Sequence, residues 1–327
     1  MNVLVTGGGG FIGSHLVEGL VRRGHRVRVL DNFSTGKTSN LAALRDAHGE
    51  PIFTPEGKAH RAEIAELLVG DAADPAVCQS ACRGVDVVLH QAAVPSVPKS
   101  IADPVTSHRA NIEATFQLLL AARGAGVRRF VYAASSSAYG ESEKLPKEES
   151  MPSSPLSPYA VQKLAGENYC RVFYGCYGLQ TLSMRYFNVF GPRQDPRSQY
   201  AAAIPSFVTS VLRGDSPIIY GDGEQTRDFT YIENVVSANL MAIDAKETRG
   251  ESINIACGEH VTVNDIIARI NQALGRSVTP KYVPPRPGDI KHSWADISLA
   301  ERVIGYRPVV PFAEGLRRTI EWYSSNQ

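Results

Sequence analysis

Met1-Asn2-Val3-Leu4-Val5-Thr6-Gly7-Gly8-Gly9-Gly10-Phe11-Ile12-Gly13-Ser14 opens the chain with an apolar run, a glycine-rich turn and the start of an amphipathic stretch. The glycines answer three needs. Gly7 lets the chain turn sharply off a strand, Gly10 lets backbone approach a pyrophosphate, and Gly13 lets the next helix pack against the sheet. Free N–H groups at the start of that helix then face the phosphates. A helical period continues over 11–23 through Phe11, Ile12, His15, Leu16, Gly19 and Leu20, and the next strand, 26–30, ends at Asp31. The Asp31 carboxylate could accept both ribose hydroxyls of an adenosine and would repel a 2′-phosphate, favouring NAD over NADP. The plainer reading of Asp31-Asn32 is a turn, and the basic Arg28 and Lys37 lie nearby. Asp71 is either a partner for the adenine amino group or a turn residue ahead of Asp74-Pro75.

Further strand signals stand at 65–69, 85–90, 129–133 and 179–186, with long helical patterns over 105–125 and 158–177. Strands separated by helices imply right-handed β-α-β units, hence an α/β fold with a doubly wound parallel sheet. Over 41–61 the pattern dissolves into charge, Gly and Pro, read as a helix and a surface excursion. After Tyr186 prolines cluster, and short strands (218–220, 252–256) alternate with short helices (262–274, 313–324). This texture predicts a smaller α/β lobe closing over the C-terminal edge of the sheet, where ligands of such sheets bind. The division expected is a dinucleotide-binding domain, 1–186 with about 229–246, and a substrate domain, 187–228 with 247–327.

Bulk composition excludes several classes. Hydrophobic residues make up 43% and charged residues 20% of 327, and the net charge of +1 gives no global pull toward nucleic acid or anionic membrane. Five cysteines, an odd number scattered through apolar segments, suit a reducing compartment and no metal shell. The first strand leaves no room for a leader peptide, and no stretch approaches the roughly 18 apolar residues of a membrane span. The expectation is a soluble, cytoplasmic protein with no nucleic-acid or membrane partner.

Tyr159-Ala-Val-Gln-Lys163 supplies the chemistry. Tyr159 and Lys163 are i and i+4, sharing one helix face. A phenol titrates near 10, and lowering it by about 3 units to serve as a base at neutral pH needs roughly 4 kcal/mol of preference for the phenolate. A lysine ammonium and a positive nicotinamide ring would together supply this. Upstream, Val131-Tyr132-Ala133-Ala134-Ser135-Ser136-Ser137-Ala138-Tyr139-Gly140 leaves a strand and places several hydroxyls where a substrate alcohol would sit, unless it is only a serine-rich turn. A phosphate-binding turn followed by this pair predicts hydride chemistry on an alcohol.

The glycine turn, the serine run, Tyr159-x-x-x-Lys163 and Arg185-Tyr186-Phe187-Asn188-Val189-Phe190-Gly191 together resemble the extended short-chain dehydrogenase/reductase superfamily, over essentially the whole chain. Within it they are similar to nucleotide-sugar 4-epimerases. His90-Gln91-Ala92-Ala93, Arg193-Gln194-Asp195-Pro196, Tyr200-Ala201-Ala202-Ala203-Ile204-Pro205, Gly221-Asp222-Gly223 and Arg227-Asp228-Phe229 resemble bacterial UDP-N-acetylglucosamine 4-epimerases in particular. The resemblance implies NAD kept as a retained group, contacted by Gly7, Gly10, Phe11, Ile12, Gly13, Asp31, Asn32, Asp71, Ala72, Gln91, Ala92, Tyr159, Lys163 and Tyr186. It makes Tyr159 the base for the sugar 4-hydroxyl, Ser135 the bridge to the phenolate, and Lys163 the ribose ligand that holds the phenolate. Hydride would leave sugar C4, and the resulting 4-keto sugar would swing about its diphosphate linkage and be reduced on its other face.

By the same resemblance Ser136 and Ser137 line the sugar pocket and Asn188 contacts the diphosphate-linked sugar. Backbone around Ile218 and Tyr220 holds uracil, and Arg227 and Arg286 clamp the diphosphate, with Asp289 in the same set. Spacing alone leaves each arginine equally open to an ion pair, with Asp228 or Asp289. Pocket width, which in the family separates hexoses from N-acetylhexosamines, maps onto Pro95, Ser136, Asn188, Gln194, Ala202 and Ser293. Small residues at Ala202 and Ser293 leave space for a 2-acetamido group; Pro95 stands where the family pattern has glycine. The substrate expected is UDP-GlcNAc/UDP-GalNAc. The rivals are UDP-glucose/UDP-galactose, a UDP-glucuronate form, a 4,6-dehydratase (which needs an acid pair that the serine run lacks) and a non-catalytic NAD sensor. The family further implies a homodimer through a four-helix bundle made by 105–125 and 158–177.

Overall fold

The computed structural model describes residues 1–142, 144–196, 203–285 and 291–326. Its centre is a seven-stranded sheet: β1 (Asn2–Thr6), β2 (Arg26–Asp31), β3 (Ala65–Val69), β4 (Val87–His90), β5 (Arg129–Ser135), β6 (Gln180–Tyr186) and β7 (Glu251–Ile255). The spatial order is β7-β6-β5-β4-β1-β2-β3, and every pairing is parallel. Strand order therefore reverses between β1 and β4, which opens a crevice at their C-terminal ends. The doubly wound fold expected from the sequence is the one found.

Period-two alternation sorts the strand side chains onto two cores. Val3, Val5, Val27, Val29, Val87, Leu89, Val131 and Leu182 belong to one, and Leu4, Leu30, Val88, Phe130 and Tyr132 to the other. The helix α1 (Phe11–Arg22) packs on the first face beside Ile232–Asp244, where a Cβ on Gly19 would lie 2.9 Å from Val236. The helix Ile232–Asp244 thus packs against α1 on this face of the sheet.

Three local readings change. Glu251–Ile255, assigned from sequence to the smaller lobe, pairs with β6 and extends the main sheet. The excursion 41–61 is anchored: after a short helix, Thr38–Ala42, the side chains of Leu41, Leu44, Ile52 and Phe53 are fully buried. The continuous helix expected over 105–125 is Pro104–His108, a π-helical turn Arg109–Glu113, and α2 (Ala114–Gly124). Such a turn fits one extra residue into the helix and re-aims its side chains.

The helix α3 (Pro158–Tyr177) matches its expected bounds because both ends are coded locally. Ser157 Oγ accepts the Ala160 amide, Pro158 occupies the first turn, and Gly178 closes the helix at φ 72°. Beyond β6 lie small sheets, Ile218–Tyr220 with Lys281–Val283 and Thr226–Arg227 between Val261–Thr262 and His292–Ser293. Helices Ala203–Arg213, Val263–Leu274 and Phe312–Ser325 accompany them. Among the described residues, no helix is long and apolar enough to cross a membrane.

Candidate active site

A cleft of about 610 Å³ follows the C-terminal edge of the sheet across the β1/β4 crevice. Its floor is the glycine turn. A Cβ on Gly7 (φ 70°) would sit 2.8 Å from the Ala92 backbone, and one on Gly13 would sit 2.1 Å from the Gly7 carbonyl oxygen. At Gly10 the nearest atom to an added Cβ is the Gly7 oxygen at 3.1 Å, so that side chain would instead fill the cleft. Phe11 and Ile12 follow at the first helical positions, whose amides have no acceptor inside the helix.

The Asp31 carboxylate borders the cleft at the end of β2. It accepts the Gly9 amide at 2.8 Å and the Phe33 amide at 2.7 Å. Burial pushes its pKa up and those amides oppose the shift. Arg28 is drawn away, to Glu66 (3.0 Å) and the carbonyls of Ala81 and Arg83. Lys37 stays at the cleft, paired with Asp195 at 2.6 Å. Asn32 and Ala72 line the same wall. Asp71 lines it too, with one oxygen on the Ala73 amide (2.9 Å) and the other on Arg109 (3.2 Å), so the turn reading accounts for half of its capacity.

Ser135, Ser136, Ser137 and Tyr159 meet in the cleft beside Ala92. Ser135 Oγ accepts from the Ser137 amide (3.2 Å) and hydroxyl (2.8 Å). Burial raises the Tyr159 phenol above its ordinary value, with the Ser135 hydrogen bond opposing. The depression expected from the sequence is the joint effect of Lys163 and a positive nicotinamide ring; the chain's own groups around the phenol supply desolvation and the Ser135 hydrogen bond. The Lys163 ammonium donates to the Ala133 carbonyl at 2.9 Å and stands 5.0 Å over the Tyr132 ring. Burial pulls Lys163 itself down to about 8, with Glu167 one turn along opposing.

Behind this wall runs a buried chain of hydrogen bonds. Thr115 Oγ1 donates to the Asn111 carbonyl (2.8 Å), so it must accept from His90 Nε2 (2.9 Å), leaving Nδ1 to accept from Thr6 Oγ1 (2.7 Å). Thr6 Oγ1 accepts in turn from the Ala92 amide at 3.2 Å. Burial first, and Lys163 second, hold the His90 pKa down at about 3, so the ring stays neutral.

Asn188 and Gln194 also line the cleft. Asn188, at φ 35°, donates to the Asp228 carbonyl (3.0 Å), and Gln194 Nε2 donates to the Val189 carbonyl (3.1 Å). Gln91 Nε2 and Asn239 Nδ2 both reach the Tyr186 hydroxyl, at 3.3 and 2.9 Å, while the Tyr186 side chain borders the cleft. Gln91 Oε1 and Gln194 Oε1 are buried with no hydrogen-bond partner among the described residues. Ile218, Tyr220, Arg227 and Ser293 are not among the cleft-lining residues. Ser293 stands opposite Arg227 in the small sheet, and Arg227 Nη1 donates to the Thr226 and Lys291 carbonyls. The Asp228 carboxylate, weighed as an ion-pair partner for Arg227, accepts the amides of Cys257, Gly258 and Ala295, and burial raises its pKa to about 6. Ala202, Arg286 and Asp289 lie outside the described residues.

Sequence reasoning gave no role to Arg193. At φ 64° it lines the cleft and pairs with Glu18 at 2.9 Å, fixing the Gln194–Asp195 loop against α1. The Arg193-Gln194-Asp195-Pro196 motif marked the spot without showing its partner, which lies 175 positions away. The donor set fits a dinucleotide: a cradle that Cβ atoms would fill, free helix-start amides and a buried carboxylate at the end of β2.

A family description of NAD dependent epimerases/dehydratases matches residues 3–256. Among solved structures, the chain is similar to UDP-N-acetylglucosamine 4-epimerase from Methanobrevibacter ruminantium, in complex with UDP-N-acetylmuramic acid. That match has a TM-score of 0.90 and 39% identity, and covers 100% of this chain and 99% of that one. It is also similar to UDP-glucose 4-epimerase from Thermotoga maritima with UDP-glucose (TM-score 0.90, 35% identity, 100% and 99% covered). UDP-glucose 4-epimerase from Thermus thermophilus, in complex with NAD, matches at a TM-score of 0.86 and 36% identity over all of both chains. With its glycine cradle, its Asp31 wall and the Ser135–Tyr159–Lys163 group in one cleft, the chain belongs to the NAD dependent epimerase/dehydratase family and is an NAD-dependent epimerase within it.

Proposed function

We propose that the protein is a UDP-sugar 4-epimerase that interconverts UDP-GlcNAc and UDP-GalNAc. The observation that carries the reaction type is the meeting of Tyr159 with Ser135–Ser137 on the rim of the dinucleotide cleft, with no carboxylic acid in the serine turn. Eliminating water would need such an acid; oxidising and re-reducing a carbinol does not. NAD, when bound, supplies a hydride acceptor that returns the hydride to the same carbon. The chain's own part is proton handling and grip. Ser135 hydrogen-bonds the sugar 4-hydroxyl and passes its proton to Tyr159. Lys163, held by Ala133, stabilises the Tyr159 phenolate that accepts this proton. Arg227 and Arg286 hold the diphosphate by bidentate pairing, while small residues leave the sugar free to turn.

By the family resemblance the short side chain of Ser293, which stands opposite Arg227 in the small sheet, leaves room for a 2-acetamido group, and the 39% identical structure is named for that sugar. The UDP-glucose/UDP-galactose reading rests on the two other similar structures. Incubating the purified protein with UDP-GlcNAc and UDP-glucose separately, without added NAD, and following the anomeric protons by NMR separates them. Turnover of the hexose alone refutes the N-acetylhexosamine assignment, and turnover of neither refutes the reaction.

The assembly proposed is a homodimer through α3 and the helices before it. Val161, Val172 and Tyr177 are half exposed on α3, and Ile101 and Val105 are more exposed still. A monomer by light scattering refutes it. The cysteines, all thiols, fit the reducing cytoplasm.

A further inference from the structure

Gln162 sits between the base and its lysine, yet its side chain points away from the chemistry and is buried. Its Oε1 accepts from Ser107 Oγ at 2.7 Å and from Asn111 Nδ2 at 2.8 Å. Asn111, on the π-helical turn, grips a single residue of the opposite cleft wall. The Val94 amide donates to Asn111 Oδ1 at 2.8 Å, and the Val94 carbonyl accepts from Asn111 Nδ2 at 3.3 Å. A second tie lies six residues further on. Ser100 Oγ accepts the backbone amide of Tyr159 at 3.0 Å and donates to the Val97 carbonyl at 2.7 Å. Ser100, Ser107, Asn111 and Gln162 are each at most 4% exposed.

The segment held in this way lends Val94, Pro95 and Val97 to the cleft. Its far end is a short helix, Val97–Ala102, capped by Ser96, while at its near end Pro95 carries no amide proton and Pro95 and Val97 are exposed. We propose that Gln162 and Ser100 are positioning residues that lock the 94–100 wall onto the helix bearing Tyr159 and Lys163, so that sugar wall and base move as one body. The proposal rests on the epimerase reading for its consequence. A sugar that must turn over within its pocket needs a wall at constant distance from the base on both faces, and a misplacement of about 1 Å costs on the order of 100-fold in rate.

The test is hydrogen–deuterium exchange on the NAD-bound protein, with steady-state kinetics alongside, for Gln162→Met and Ser100→Ala. Gln162→Met keeps length and volume but strands the Ser107 and Asn111 donors; Ser100→Ala removes the acceptor of the Tyr159 amide and the donor to the Val97 carbonyl. The expected result is exchange at least about tenfold faster over 94–101, unchanged exchange in β1, β4 and β5, unchanged NAD affinity, and kcat lower by about tenfold or more. Unchanged exchange over 94–101 in both variants overturns the proposal. So does exchange that rises equally across the sheet, which marks a general packing defect. Wild-type turnover reports separately on the epimerase reading, and exchange reports on the brace, so one can fail while the other stands.

Discussion

Gly166→Ala puts the contact between the helix bearing Tyr159 and Lys163 and the sheet to a quantitative test. Gly166 lies one turn after Lys163, directly over Tyr132 of β5. An added Cβ would stand 2.3 Å from the Tyr132 hydroxyl oxygen, 2.4 Å from Cζ and 2.7 Å from Cε1. Relaxed contacts of this kind need roughly 3.5 Å, so helix and strand must part by about 1 Å. Tyr132 cannot yield: its ring is fully buried, packed between His90 at 5.7 Å and the Lys163 ammonium at 5.0 Å. Overpacking of this kind costs about 1–3 kcal/mol, and the upper end applies where neighbours are immobile. Replacing glycine by alanine within a helix returns about 1 kcal/mol. The net expectation is a loss of about 2 kcal/mol, read as a Tm lower by about 3 °C in calorimetry of the NAD-bound protein. The same displacement moves Lys163, so kcat falls as well. Tyr132→Leu in the same chain removes the blocking carbon and recovers part of the Tm. An unchanged or raised Tm for the single variant refutes the packing argument.

Tyr159→Phe is expected to abolish epimerisation while NAD and UDP-sugar binding, followed by calorimetry, persist; unchanged turnover removes Tyr159 as the base. Glu167→Gln strands the buried Arg185, now held by two oxygens at 2.8 and 3.0 Å, and should cost about 3–5 kcal/mol in denaturant unfolding. His15 and His90 are both held at about 3 against an ordinary 6.5, so the unfolded chain binds more protons than the folded one between those values. Their contribution is whole above about 6.5 and is lost as pH falls toward 3, partly offset by Asp228, whose raised pKa acts in the opposite sense between 3.8 and about 6. Tm should therefore fall between pH 7 and pH 5 at fixed ionic strength. Ser293→Tyr should cut activity on the N-acetylated sugar far more than on the hexose; equal losses refute the pocket argument.

What the sequence determined alone is what short-range rules encode. The glycine turn and its flanking strand and helix need only φ freedom and the absence of Cβ atoms. The bounds of Pro158–Tyr177 follow from Ser157, Pro158 and Gly178, and the shared face of Tyr159 and Lys163 follows from helical geometry. Strand–helix alternation fixed the sheet's class and the edge where a ligand binds. Tertiary structure decided everything that depends on distant partners. Only the folded chain shows that β7 joins the main sheet, since a five-residue strand reads the same in either lobe. Only it shows Arg28 turned to Glu66 while Lys37 crosses to Asp195. It also shows the desolvation that raises the Tyr159 phenol, which is set by residues packed from several elements, whereas i, i+4 spacing states only that a lysine is near. The brace through Gln162 was unreadable for the same reason: hydrogen bonds spanning 51 and 55 positions leave no periodic trace.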